Sequence, residues 1–197
     1  MMITSRLEEA QGRCPANDDE GSEGELMGLL EANMRAMYEA SPWGWDGPAK
    51  REEVSRAHRI VATRDGVLAG FALFRFEPDD EEDPERAVLY VRELQISPRF
   101  RRTGVGTELM RRLHRLAKGL DAVMLTVFKA NTSALRFYTA LGYDIDQDDP
   151  TNYDDRSACY YILSAKPRLG LPSSSSSSSL KKKRKRRDDH PPRVIYR

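Results

Sequence analysis

The segment Arg101-Arg102-Thr103-Gly104-Val105-Gly106 constrains this chain more than any other. A strand-like run, 88–96, precedes it, and an amphipathic helical run, 107–120, follows it. A strand, a short loop with two glycines and then a helix together make an anion hole. The first amides of a helix have no partner inside the helix, and the helix dipole is positive at that end. Glycine at 104 and 106 removes the β-carbons that would hold a phosphate away from those amides. The segment therefore reads as a diphosphate site.

The surrounding pattern supplies the rest of a domain. Leu26, Leu29, Leu30, Met34 and Met37 recur at helical spacing and predict a helix over 26–38. Ser41-Pro42-Trp43-Gly44-Trp45 breaks it, and 49–56 reads as a second short helix. Two β-rich runs, 58–63 and 67–76, are joined by Arg64-Asp65-Gly66, a hairpin signal. Residues 79–85 form an acidic loop. The apolar run 122–128 predicts a buried strand, and 131–141 a helix ended by Gly142. Short strands follow at 143–145 and 158–163. This order predicts an α/β fold, a mixed central β-sheet flanked by helices in three α-β-α layers. The unit 88–128 is expected to be a right-handed parallel crossover.

Charge is distributed unevenly although the net charge is only +1. Residues 1–25 carry two basic and seven acidic side chains, and 168–197 carry ten basic and two acidic. Low hydrophobicity predicts a disordered acidic segment over 1–24, a folded domain over 25–167, and a serine linker with a basic tail over 168–197. Cys14 and Cys159 match no metal or redox spacing, which fits a reduced intracellular compartment. No metal is expected. No apolar run approaches a membrane span, and no signal peptide is visible, so no membrane association is expected. A monomer is the expected state.

Two phosphate-loop classes fail on residue type. A Walker loop needs Gly-Lys-Ser/Thr, where this chain has Gly106-Thr107-Glu108. A Rossmann loop places a third glycine where this chain has Leu109. What remains, Arg101-x-x-Gly104-x-Gly106, resembles the acetyl-CoA site of the GNAT acetyltransferase superfamily. Asn131-x-x-Ala134-x-x-Phe137-Tyr138-x-x-x-Gly142-Tyr143 resembles that superfamily's second segment. A narrower resemblance, over about 26–166, is to the NatD-type N-alpha-acetyltransferases of histone tails that begin Ser-Gly-Arg-Gly. It rests on Met37-Tyr38-Glu39-x-Ser41-x-Trp43-Gly44-Trp45, Phe74-Arg75-Phe76, Met124-Leu125-Thr126-Val127-Phe128-Lys129 and Tyr160-x-Ile162-Leu163-Ser164.

The resemblance implies direct acetyl transfer from acetyl-CoA to an amine. Glu93 is then the candidate general base; a salt bridge to Arg92 or Arg75 is its structural alternative. The demand on it is modest for an α-amine. Neutralising a group of pKa about 8 at pH 7 costs about 1.4 kcal/mol, against about 4.6 kcal/mol for lysine. Tyr138 is the candidate acid for the leaving thiolate, with core packing as its alternative. Cofactor contacts are implied for Gln95, Ile96 and Ser97, for Arg101, Arg102, Thr103, Gly104, Val105, Gly106, Thr107 and Glu108, and for Asn131 and Phe137. Gln95, Ile96 and Ser97 would pair with the pantetheine arm as an added strand does; ordinary sheet pairing is the alternative.

Substrate contacts are implied for Tyr38, Trp43, Glu77, Arg92, Thr126, Asp148 and Tyr160. Glu77 and the carboxylates at 146–149 are expected to hold a substrate arginine. The family carries tyrosine where this chain has Arg92, and a cation there is expected to lower the pKa of Glu93. The tail Lys181-Lys182-Lys183-Arg184-Lys185-Arg186-Arg187 reads as a nuclear import signal, which implies an import receptor and a place in nucleus and cytoplasm. A nucleosome tether is compatible with the same residues. Acetylation of lysine or a small amine, and a non-catalytic chromatin-binding module, are the other readings of the same domain.

Overall fold

The computed structural model describes residues 23–78, 86–153, 157–168 and 170. The acidic loop 79–85, the serine linker and the basic run 181–187 lie outside the described residues. Helices α1 (Glu23–Glu39) and α2 (Gly47–Arg56) come first. Strands β1 (His58–Arg64), β2 (Val67–Pro78) and β3 (Ala87–Ile96) follow, then α3 (Val105–Leu116) and β4 (Ala122–Phe128). Helix α4 (Thr132–Ala140) leads to β5 (Asp144–Ile145) and β6 (Tyr160–Ala165).

The six strands lie in the order β1-β2-β3-β4-β6-β5. Only β3 and β4 are parallel; every other pair is antiparallel. Asp65 and Gly66 both take positive φ, 52° and 72°, and Arg64 pairs with Val67. That is the two-residue turn whose twist suits a hairpin.

Helices cover both faces. Leu26, Met27 and Leu30 of α1 and Val54 of α2 pack on Phe71 and Leu73 of β2. Leu109, Met110 and Leu113 of α3 pack with Ala72, Phe74, Leu89, Val91 and Leu125 on the other face. Alternate β2 residues thus serve opposite layers, as the pleat requires.

Several boundaries differ from expectation. Helix α1 includes Glu23 and Gly24, which were assigned to the disordered segment. Helix α3 starts at Val105, not Thr107, so Gly106 lies inside its first turn rather than in the loop. It stops at Leu116 because the chain turns at Gly119, where φ is +88°. Arg168, expected in the tail, joins the fold: its amide donates to Nδ1 of His114 at 3.3 Å. The end of α4 follows the sequence closely. Gly142 sits at φ +80°, its amide bonds Thr139 O at 2.9 Å, and Tyr143 N bonds Tyr138 O at 3.0 Å. This paired closure satisfies carbonyls that a helix end otherwise leaves open.

Candidate active site

Strands β3 and β4 pair only from Val88 with Ala122 to Val91 with Leu125. Beyond that point β3 continues beside β2, and β4 continues beside β6. The two strands part, and beyond Val91 the edge of β3 pairs with no strand on that side among the described residues. A cleft opens there, with an unpaired strand edge that an extended ligand arm can join. Part of this edge is already engaged. Ser97 N donates to Ala69 O at 3.0 Å, and Ile96 O accepts from Asn33 Nδ2 at 3.2 Å and Arg101 Nε at 3.4 Å. Ser97 N thus continues the β2 ladder on the far side, whereas on the open edge Ile96 O serves Asn33 and Arg101, which leaves the arm other partners there.

At the end of β3 the chain makes a short 3-10 turn, Pro98–Phe100, and enters the glycine loop. Arg102 and Gly104 take left-handed φ values, 64° and 90°. The first bond of α3 runs from Glu108 N to Gly104 O at 3.0 Å. The amides of Val105, Gly106 and Thr107 open α3, where a helix offers them no partner of its own. Several amides thus converge at a helix N-terminus, which suits a diphosphate. The two glycines do different work. At Gly104 a β-carbon would meet nothing within 4 Å, and the requirement is the positive φ. At Gly106 a β-carbon would lie 3.3 Å from Cζ of Phe137, so the requirement is close packing against α4. Positive φ at Gly104 and packing at Gly106 add to the expected reason, room for a phosphate.

A cavity of about 660 Å³ runs beside this loop, lined by Gly104, Val105, Thr107, Leu109, Phe137 and Leu141 among others. Glu108 holds Arg111, and Arg112 at 3.6 Å, on the exposed side of α3. Asn131 caps α4, its Oδ1 accepting from Ala134 N at 3.2 Å.

Glu93 lies at the point where the strands part and is 6% exposed. The register of β2 on β3 slips here: Leu73 faces Glu93 and Phe74 faces Val91, leaving Arg92 as an extra residue. Such a bulge turns two consecutive side chains to one face. Both then reach α2. Glu93 Oε1 accepts from Lys50 Nζ at 2.9 Å, and Arg92 Nε donates to Glu53 Oε1 at 2.9 Å. Lys50 also meets Glu53 Oε2 at 2.9 Å. Glu93 Oε2 accepts from Gln95 Nε2 at 2.9 Å, and Gln95 Oε1 accepts from Asn33 Nδ2 at 3.0 Å. Arg101 of the glycine loop completes the chain on Asn33 Oδ1 at 2.6 Å. The expected partners of Glu93, Arg92 or Arg75, are replaced by Lys50. Arg92 spends its charge on Glu53.

Tyr138 is buried, packed on Phe137 at 5.2 Å and Tyr143 at 5.6 Å. Burial, and then the nearby Glu93 carboxylate, push its hydroxyl well above the ordinary tyrosine range. It is therefore protonated throughout the neutral range and can only donate or accept a hydrogen bond as the neutral phenol.

The mouth of the cleft is aromatic. After α1, Ser41 Oγ bonds Tyr38 O at 2.8 Å and accepts from Trp43 N at 3.2 Å. With Gly44 at φ +66° the chain reverses and lays Trp43 across Phe128 and Tyr160, each at 5.0 Å between ring centroids. Tyr38 meets Phe128 edge-on at 5.1 Å, and Trp45 at 5.7 Å. Burial first, then Glu93, raise the Tyr38 hydroxyl to about 12. Thr126 Oγ1 bonds Tyr90 OH deeper in the cleft.

Two of the carboxylates at 146–149 are spent on structure. Asp146 is clasped by Arg86 at 3.0 Å, and Asp149 accepts from Thr151 N at 2.9 Å and Ile162 N at 2.6 Å. An internal arginine thus occupies Asp146, which was expected to hold a substrate arginine. Asp148 is less committed, 3.5 Å from Arg86, and burial and Asp146 raise its carboxyl. Glu77 is half-buried on β2, and burial raises its carboxyl despite Arg92 and Arg75. Lys50, Glu53, Asn33 and Phe128 were missed as site residues in the sequence. The first three sit on amphipathic helices where a solvated face is the ordinary reading, and only packing aims them inward.

Residues 22–143 match the model of the acetyltransferase (GNAT) family. A mycothiol acetyltransferase from Thermobispora bispora is 37% identical over 123 residues, 58% of this chain and 41% of that protein. The chain thus spans about two fifths of the length of that curated relative. PH1933 from Pyrococcus horikoshii superposes with a TM-score of 0.59 at 18% identity, covering 80% of this chain and 98% of that one. The PaiA N-acetyltransferase from Thermoplasma acidophilum, solved with coenzyme A, gives 0.52 at 16% identity, covering 75% and 96%. Those structural likenesses concern the fold; the family match covers the glycine loop, the parted strands and α4 together. The chain belongs to the GNAT acetyltransferase family, whose members use acetyl-CoA as the acetyl donor.

Proposed function

We propose that this enzyme acetylates the N-terminal α-amine of proteins, and that core histone tails beginning Ser-Gly-Arg-Gly are its acceptors. The observation that carries this reading is the aromatic slot of Tyr38, Trp43, Phe128 and Tyr160 beside Glu93. A narrow aromatic wall admits a small first residue followed by glycine and rejects bulk. Glu77 and Asp148 are the carboxylates left to meet the arginine at the third position. In the reaction the amine nitrogen bonds the acetyl carbon and the C–S bond breaks. Glu93 takes the amine proton, directly or through one water, and Tyr138, as the neutral phenol, donates a hydrogen bond to the departing thiolate. The residues of the glycine loop, with Gln95, Asn131 and Phe137, hold the donor.

The basic run 181–187 adds a nuclear import signal, so the protein works in nucleus and cytoplasm as a monomer. The test is incubation with acetyl-CoA and a Ser-Gly-Arg-Gly peptide, free or N-blocked. Thiol release with the free peptide alone supports the reading, and equal release with both rejects it. A second reading, a low-mass acceptor, is favoured by the mycothiol acetyltransferase relative. It requires thiol release with small amines at rates above those for the peptide.

A further inference from the structure

We infer that Lys50 is a positioning residue for acetyl transfer, holding the Glu93 carboxylate aimed into the cleft where β3 and β4 part. The inference rests on the reading of Glu93 as the general base and adds a second residue to it. Three observations lead there. Lys50 Nζ lies 2.9 Å from Oε1 of Glu93, 2.9 Å from Oε2 of Glu53, and 4.6 Å over the ring of Tyr38. Each ammonium proton therefore has a partner. The lysine side chain is only 16% exposed and that of Glu93 only 5%, so the pair is shielded from water.

The remaining contacts of Glu93 make the arrangement one of orientation. Its second oxygen is held by Gln95, so both oxygens are fixed while each keeps a further lone pair. That lone pair is what an acceptor amine, or a water in front of it, would meet. The groups facing Glu93 are Lys50 and Glu53 from α2, Gln95 on its own strand, Tyr38 from α1 and Tyr138 from α4. Lys50 is the cation in direct contact with Glu93, while the neighbouring Arg92 pairs with Glu53.

Electrostatics agrees with the geometry. Burial alone would favour the neutral lysine amine, but Glu93, Tyr38 and Glu53 hold it above the ordinary lysine range. The charged ammonium is thus a fixed partner for the Glu93 carboxylate at 2.9 Å. It also makes Lys50 a poor acetyl acceptor, although it lies beside the base.

The test compares the full chain with Lys50→Met, Lys50→Gln and Lys50→Arg. The Glu93 carboxyl is followed by ¹³C NMR titration, its signal identified by its loss in Glu93→Gln. Removing the cation is expected to raise that titration by about one pH unit or more. The acidic limb of kcat/KM should rise by the same amount, and kcat at pH 7 should fall about tenfold. Affinity for acetyl-CoA should stay within about twofold, and Lys50→Arg should restore the titration. Lys50→Gln, whose amide still donates to a carboxylate, carries the test if Lys50→Met does not fold. An unmoved Glu93 titration in a folded variant overturns the inference, as does a moved titration with an unmoved kinetic limb. The NMR readout needs no acceptor, and the wild-type peptide assay judges the acceptor reading separately. Kinetics are then run on whichever amine the wild type accepts.

Discussion

A β-carbon built on Gly70 would stand 2.6 Å from the carbonyl oxygen of Gln95. Ile96 closes the same space, with Cδ1 at 2.8 Å and Cα at 3.3 Å. Strand β2 can lie this close to β3 only because residue 70 has no side chain, and the contact falls where β3 carries Gln95 toward Glu93. Gly70→Ala is therefore expected to push the strands apart. Overpacking against backbone costs about 1–3 kcal/mol, read as a lower denaturant midpoint. Acetyl-CoA affinity should fall with it, and an unchanged midpoint would contradict this packing.

The loop glycines should respond differently to the same substitution. Gly104→Ala forces a β-carbon into the left-handed region and should cost about 1–2 kcal/mol of stability. Gly106→Ala meets the far edge of the Phe137 ring and, at an ordinary 3.6 Å, Ile96 Cγ1, and alanine regains helix propensity worth about 1 kcal/mol. Its stability should stay within about 1 kcal/mol of wild type. Its acetyl-CoA affinity should drop about tenfold, because the displaced Phe137 crowds the cavity. Calorimetric titration beside thermal unfolding separates the two variants.

Trp43→Ala removes two ring contacts at 5.0 Å from the mouth of the cleft. Each such pair contributes about 0.5–1.5 kcal/mol. A stability loss of about 1–3 kcal/mol is expected, with a KM for the peptide raised about tenfold. On the proposed peptide acceptor, preference for a serine-first over a leucine-first peptide should narrow, because the aromatic wall is gone. A preference that survives intact places specificity elsewhere.

His114 is a pH sensor of folding rather than of catalysis. It is 1% exposed, bonds Tyr143 OH at 3.0 Å through Nε2, and accepts from the Arg168 amide through Nδ1. Burial, and then Arg168, lower its pKa to about 4. The unfolded chain titrates this group near 6.5, so between pH 6.5 and 4 the unfolded state binds the extra proton. Stability therefore falls as pH drops through that window and levels off below it. The loss attributable to His114 is about 3 kcal/mol. His114→Gln should be less stable at pH 7 and should lack this part of the slope, measured by urea unfolding from pH 7 to 4.

Much of the donor half of this site is legible in the chain itself. The strand, Arg101-x-x-Gly104-x-Gly106 and the start of a helix are contiguous, so local geometry alone aims amides at an anion. Asn131 and Gly142 mark both ends of α4 by capping chemistry that needs no tertiary partner. The physical reason given for the glycines was still incomplete, because Phe137 lies 31 residues from Gly106 in sequence and meets it only after folding.

The acceptor half depends on long-range packing. Strict strand alternation would put Arg92 and Glu93 on opposite faces of β3. The bulge opposite Leu73 and Phe74 turns both toward α2 and gives Glu93 to Lys50 and Arg92 to Glu53. Sequence spacing cannot show that exchange, because one extra residue in a ladder is decided by how β2, β3 and α2 fit together. The amino-acid order by itself determined the phosphate loop, the alternation of strands and helices and the family. Tertiary structure decided which charges meet in the cleft, because ion pairs between elements some 40 residues apart form only once both are buried against a common sheet.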